Sequence, residues 1–347
     1  MTSSKPPLTP VYDVAIIGGG ISGSLIAYRL SQYDLTVCLI EKECDLAMGA
    51  TGANSAIVHS GYDPKPGSLK AKYNVEGSLL FEDLCKDLGV PYKKNGSLII
   101  AFNSEEDKKI QALMERGRVN RVTDLEIVAG QEARLLEPVL SPDVSSALYA
   151  KTGGIVCPYE LTFAASETAA ANGVEFLFES EVTSIEREKD TRIFKVHHSN
   201  GVIRSKTVIN AAGAYADKVS KMAGDDSFSI TPRRGEYSII DRKQGISVRH
   251  TIFQTPTSKG KGVLVTPAVD ENIIVGPNSV EIEDPDDKAT TFEGREYIWE
   301  HALKSVPSLK KGDSIRDFAG IRATPSTRDF IIGEHPDIPG FFRAAGI

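Results

Sequence analysis

The sequence predicts an α/β fold in which a parallel-sheet nucleotide-binding domain, assembled from separated stretches, is interleaved with a second domain built on a mixed sheet. Three observations lead there. Residues 14–17 are an apolar run that ends in a glycine turn and a helix. A second apolar run, 35–40, ends in an acid, Glu41. Far downstream, residues 229–276 read as short strands with turns and lack the strand–helix alternation of a parallel sheet.

The first run, Val14-Ala15-Ile16-Ile17, suits a strand buried on both faces. Gly18, Gly20 and Gly23 follow at the spacing of a dinucleotide fingerprint, giving a Rossmann-like unit. The first glycine allows the tight turn, the second admits a pyrophosphate to bare backbone, and the third lets the helix pack close. Residues 21–32 form that helix, whose N-terminal N–H groups face the phosphates. Glu41 is placed to accept hydrogen bonds from a ribose diol.

Residues 47–62 are rich in small and hydroxyl side chains, which suits a loop lying against a flat ligand. Ser68 is a plausible cap for a helix whose stripe is Leu69, Tyr73, Leu79, Leu80, Leu84 and Leu88. A strand at 97–102 and helices at 104–118 and 131–136 do not continue the βαβ pattern and belong to the second domain. An alanine-rich helix at 160–172 is closed by Gly173. Strands at 174–178, 182–186, 193–198 and 202–209 follow, the last running into Asn210-Ala211-Ala212-Gly213, where small residues leave room for a ligand. The second domain then has strands at 229–233, 237–240, 251–254, 262–266 and 272–276, packed by a helix at 292–303. The polar hairpin Ser258-Lys259-Gly260-Lys261-Gly262 is read as solvated. Strands at 315–322 and 330–333 precede an apolar run that stops at Ile347, an abrupt end that predicts a truncated C-terminal edge. The expected division is 11–88, 153–225 and 316–347 for the nucleotide domain, and 89–152 and 226–315 for the substrate domain.

With 347 residues, 41% hydrophobic and 25% charged, the chain can bury two cores. A net charge of −7 without a basic block gives no reason to invoke nucleic acid. Cys38, Cys44, Cys85 and Cys157 are scattered, which argues against a disulfide framework, zinc or an iron–sulfur cluster and for small buried side chains. Residues 1–10 read as a loose polar leader, and no apolar run reaches membrane-spanning length. A cytoplasmic protein is expected, with a peripheral membrane or partner-subunit contact left open.

On these residues the chain resembles the flavin-dependent oxidoreductases of the D-amino-acid oxidase group. Within that group it is most similar to the flavin-dependent glycerol-3-phosphate dehydrogenases and the L-2-hydroxyglutarate oxidases. The likeness is carried by Gly18 to Gly23 with Glu41, by Thr51-Gly52-Ala53-Asn54-Ser55 with His59-Ser60-Gly61, and by Pro66 to Ala71. Asn210-Ala211-Ala212-Gly213, Arg234-Gly235-Glu236-Tyr237 and Gly320-Ile321-Arg322 complete it. It implies FAD as cofactor, with Gly18, Gly20, Ser22 and Gly23 at the pyrophosphate and Glu41 at the adenosine ribose. Thr51, Gly52, Asn54 and Ser55 would lie along the ribityl chain and ring, Val182 would offer backbone to adenine, and Ala212, Gly213, Gly320 and Gly346 would line the dinucleotide. Relatives continue beyond Gly346 into a further helix over the flavin, and some carry a C-terminal cysteine-rich domain.

Oxidising a secondary alcohol needs a proton acceptor and a cation for the substrate's acid group. His59 is the candidate base, the competing reading being a histidine merely hydrogen-bonded in the loop. Arg322 is the candidate anion grip, the competing reading being a structural salt bridge. Arg234 and His250 are candidates to complete the anion pocket, and Tyr62 to shape it. The expected activity is dehydrogenation of a small anionic 2-hydroxy compound, glycerol-3-phosphate favoured, with an electron acceptor of unknown identity. The alternatives are an L-2-hydroxyglutarate oxidase or dehydrogenase, a non-catalytic or truncated flavin-binding subunit, and, more weakly, an amine oxidase.

Overall fold

A computed structural model describes residues 10–188, 191–256 and 262–347. The chain divides into two compact units, Met1–Gly52 with Tyr159–Thr231 and Ala323–Ile347, and Ala53–Pro158 with Pro232–Arg322. The expected boundaries therefore move. Residues 53–88, 153–158 and 316–322 belong to the second unit and 226–231 to the first. Sequence punctuation marks where an element ends, whereas a unit boundary follows which strand that element pairs with.

In the first unit, strands Gly201–Asn210, Val11–Ile17, Val37–Ile40 and Glu175–Leu177 lie side by side and parallel. Strand Ile338–Ala345 joins Gly201–Asn210 in parallel on its other side. An antiparallel flap of Val182–Arg187 and Phe194–His198 extends the sheet. The register sets Ile17 beside both Ile40 and Asn210, so Gly18, Glu41 and Ala211 emerge together at one carboxyl edge. Ala15, Val208, Val196 and Phe341 pack one face of the sheet, and Ile16, Leu39 and Ala27 pack another cluster.

The second unit holds a mostly antiparallel sheet, in which Ser97–Ala101 pairs in parallel with Thr251–Gln254. Helix Phe292–Ser305 places fully buried Trp299 in its main core with Leu98, Ile252, Val265 and Val275. The indole Nε1 donates to Ser238 Oγ at 3.2 Å. A small three-stranded sheet joins Ile57–Val58, Gly154–Val156 and Tyr92–Lys93.

Several expectations change. The strands expected at 229–233 and 237–240 are one strand, Ile230–Ile240, that passes straight through Gly235. Helix Leu69–Asp87 is capped by Ser68 Oγ, which accepts from Ala71 N at 3.1 Å, as its sequence predicts. Its leucine stripe, however, is only partly covered: Leu79 and Leu80 are each 62% exposed, Leu69, Leu84 and Leu88 are half-buried, and the residues the helix buries fully are Ala71 and Cys85. Positions 73 and 80 lie on the opposite side of the helix from 71 and 85, and periodicity alone could not choose between the two stripes. Cys38 and Cys85 are buried, but Cys44 is exposed, against the expectation of buried cysteines. Most of the hairpin at 258–262 lies outside the described residues, as does most of the leader. No helix among the described residues is long and apolar enough to cross a membrane.

The edge of the first sheet is tied by Asp13. Its Oδ1 accepts from Lys206 Nζ at 2.7 Å, and its Oδ2 accepts from Thr36 N and Oγ1 at 2.9 and 2.8 Å. The Lys206 hydrogen bond first, then those from Thr36, lower the Asp13 carboxyl to about 2. A depressed folded-state pKa stabilises above the unfolded value, and that stabilisation disappears as pH falls through the folded one. Asp13→Asn is therefore expected to flatten the decline of the urea midpoint between about pH 4 and pH 2 relative to the parent chain, as followed by circular dichroism.

Candidate functional site

The glycine loop is built by close backbone contact. Gly18 has a φ of +111°, and a methyl group on it would lie 2.5 Å from Ala211 O. A methyl on Gly23 would lie 1.9 Å from Gly18 O, so helix Ile21–Leu30 sits directly on the turn. The first-turn bond runs from Ser24 N to Gly20 O at 3.0 Å, which leaves the N–H groups ahead of it without intrahelical acceptors. Ile21 N instead donates to Thr51 Oγ1 at 3.0 Å, so Thr51 serves the head of this helix.

Glu41 holds the same loop from the neighbouring strand. Its Oε2 accepts from Gly19 N at 2.5 Å and its Oε1 from Glu43 N at 2.9 Å. A carboxylate has about four acceptor positions, so a ribose diol can still be bound there. Asn210, whose role sequence reasoning missed, is buried and folds the third side of the edge. Its Nδ2 donates to Ala216 O at 2.7 Å and Ser220 Oγ at 3.1 Å, and its Oδ1 accepts from Ala212 N at 3.2 Å. A short polar side chain where an apolar strand gives way to alanines was the available signal. Beyond it Gly213, with a φ of +55°, has open space above its Cα. The ammonium groups of Lys42 and Lys218 stand 4.2 and 4.9 Å from the Tyr215 ring centre, a positive pair with no mark in the sequence pattern.

Val182 is buried at the start of the antiparallel flap. Gly52 O accepts from Tyr159 OH at 2.7 Å. Gly346, with a φ of +73°, packs against Pro325. Asn54 and Ser55 belong to the second unit, where Asn54 Oδ1 accepts from Ala56 N at 2.6 Å and turns the chain. Gly320 was expected at the cofactor. The structure presses it against Ala53, where an added methyl would lie 1.7 Å from the carbonyl oxygen.

In the second unit His59 is half-buried, its ring centre 5.8 Å from that of Phe253. Arg322, near the end of strand Ser314–Pro325, is exposed and has no ion-pair or hydrogen-bond partner among the described residues. The other expected cation sites differ. Arg234 is buried, 2.6 Å from Asp287 Oδ2 and 3.8 Å from Glu236 Oε1. His250 Nδ1 lies 3.2 Å from the buried Glu137, whose same oxygen accepts from the backbone N–H of Arg249 and His250. Each thus already faces a carboxylate: the buried Glu137 takes the donors nearest to it, and Arg234 lies between the half-exposed Asp287 and the buried Glu236. Tyr62 is a core residue among Ile99, Leu113 and Phe253, its phenol held neutral first by burial and then by Asp63.

Comparison with known proteins places these features. The family model described as FAD dependent oxidoreductase matches residues 13–347. A glycerol 3-phosphate dehydrogenase of Caloramator mitchellensis is 44% identical over 337 residues, covering 97% of this chain and 70% of that protein. The mitochondrial L-2-hydroxyglutarate dehydrogenase of Bos taurus is 34% identical over 287 residues, covering 78% of this chain and 62% of that protein. The structure of dithionite-reduced L-α-glycerophosphate oxidase from Mycoplasma pneumoniae, with FAD bound, superposes with a TM-score of 0.93 at 33% identity, covering 97% and 90% of the two chains. The bare glycine cradle, the helix head above it and the spare acceptors of Glu41 fit the diphosphate and ribose of FAD.

Gly23→Ala is expected to destabilise the chain by about 1–3 kcal/mol through overpacking against Gly18 O, and to lower bound flavin per chain. The urea midpoint and the absorbance of released flavin measure the two effects.

Proposed function

This chain belongs to the FAD dependent oxidoreductase family, and on that premise we propose that it oxidises the secondary alcohol of glycerol-3-phosphate. FAD, when bound, supplies the two-electron oxidant. The chain's own residues then have two tasks. Arg322 grips the phosphate by a two-pronged contact, and the His59 imidazole takes the hydroxyl proton. The observation that carries the reading is the unpaired guanidinium of Arg322, whereas Arg234 and His250 already face carboxylates. An exposed arginine left without a carboxylate in an acidic chain is available to an anionic substrate. Turnover also requires an electron acceptor as second substrate.

The resemblance to an L-2-hydroxyglutarate dehydrogenase supports a second reading, since the same guanidinium would hold a carboxylate. Anaerobic mixing with each compound separates them: bleaching of the flavin by glycerol-3-phosphate and not by L-2-hydroxyglutarate is expected, and the reverse outcome transfers the assignment.

Arg322→Ala is expected to raise KM about a hundredfold, the loss of ~3 kcal/mol of charge-assisted hydrogen bonding. His59→Ala should retain flavin but slow its reduction by about a hundredfold or more. A parental KM in Arg322→Ala, or stopped-flow reduction at saturating substrate that is unchanged in His59→Ala, refutes the corresponding role.

A further inference from the structure

Strand Ser314–Pro325 presents Phe318, Gly320 and Arg322 on one face, two residues apart. Tyr237 of the neighbouring strand Ile230–Ile240 stacks on Phe318, ring centres 4.8 Å apart and planes at 7°. Gly235, two residues before Tyr237, shares that face and meets Arg322. A methyl group at 235 would stand 3.3 Å from an Arg322 terminal nitrogen, 3.0 Å from Pro277 Cβ and 3.4 Å from Asn278 O. Gly235 is not among the glycines of positive φ, so the space above it, and not its backbone conformation, calls for glycine.

The opposite face of the same strand is locked. Glu236, 2% exposed, accepts from Thr291 N at 2.6 Å, from Thr291 Oγ1 at 3.1 Å and from Asn278 Nδ2 at 3.2 Å. Asn278 Oδ1 in turn accepts from Glu236 N at 2.8 Å. Arg234 is held by Asp287. The strand therefore has little freedom to back away from a group added at 235.

We propose that Gly235 is a positioning residue for recognition of the substrate's anionic group: bare backbone at this point seats the Arg322 fork, and any side chain there tilts it. This rests on the reading of Arg322 as the anion grip. A few tenths of an ångström of displacement breaks the parallel alignment of a two-pronged contact, which corresponds to about tenfold in affinity for one charge-assisted hydrogen bond.

The test is a four-member cycle of parent, Gly235→Ala, Arg322→Lys and the double variant. Flavin per chain, KM and kcat for glycerol-3-phosphate are measured in each. Gly235→Ala is expected to keep its flavin, raise KM about tenfold and change kcat less than about twofold. In the Arg322→Lys background the same change should move KM less than about twofold, because a compact ammonium does not span the glycine. Equal effects of Gly235→Ala in both backgrounds, no effect on KM, or loss of flavin with kcat overturns the proposal. An Arg322→Lys variant with parental KM overturns the underlying reading of Arg322 as well. If Gly235→Ala alone does not fold, a folded double variant supports the proposal, since removing the fork relieves the clash. Failure of both to fold assigns Gly235 to packing and overturns it.

Discussion

The crossing of three backbones at Gly18 underlies the first unit. Strand Val11–Ile17 must end where helix Ile21–Leu30 begins, and both must lie against the turn after strand Gly201–Asn210. The separations of Gly18 from Ala211 and of Gly23 from Gly18 leave no room for a β-carbon, so this packing exists only with glycine at 18 and 23. Parallel pairing then sets Glu41 beside the loop, where its two oxygens tie down backbone N–H groups on either side. A site for a diphosphate results from satisfying the fold's own hydrogen bonds, with the leading N–H groups of the helix left over.

The second unit buries several charged groups in a chain of net negative charge. It buries acids with their donors already in place. Glu137 is met by two backbone N–H groups and His250, and Glu236 by Thr291, Asn278 and Arg234. Glu236 is thereby satisfied through both oxygens and Glu137 through its Oε2, and Arg322 is not recruited by either. Gly320 performs the mechanical part, bringing its strand onto the Ala53 carbonyl in the segment that leads to His59.

Much of the first unit was legible because its signals are local. An apolar run, a glycine triplet at fixed spacing and a terminal acid lie within about thirty residues, and each requirement is met by near neighbours in sequence. The Ser68 cap was readable for the same reason. What misled was anything with two symmetric solutions. The leucines of helix Leu69–Asp87 form a stripe as good as the buried one, yet Ala71 and Cys85 face inward. Arg234-Gly235-Glu236 looked like a break between strands because glycine and charges mark turns. Here they alternate across a continuous strand, with the charges buried and paired.

The sequence by itself determined the dinucleotide-binding unit, its glycines, its acid and the list of candidate cations, because spacing along the chain expresses those requirements directly. Only the tertiary structure decided which cations remain available. What distinguishes Arg234, His250 and Arg322 is whether a carboxylate stands within reach, as Asp287 and Glu137 do for the first two. Those partners lie 53 and 113 residues away along the chain. Contacts at such separations are set by strand pairing and helix packing, which a local pattern does not encode.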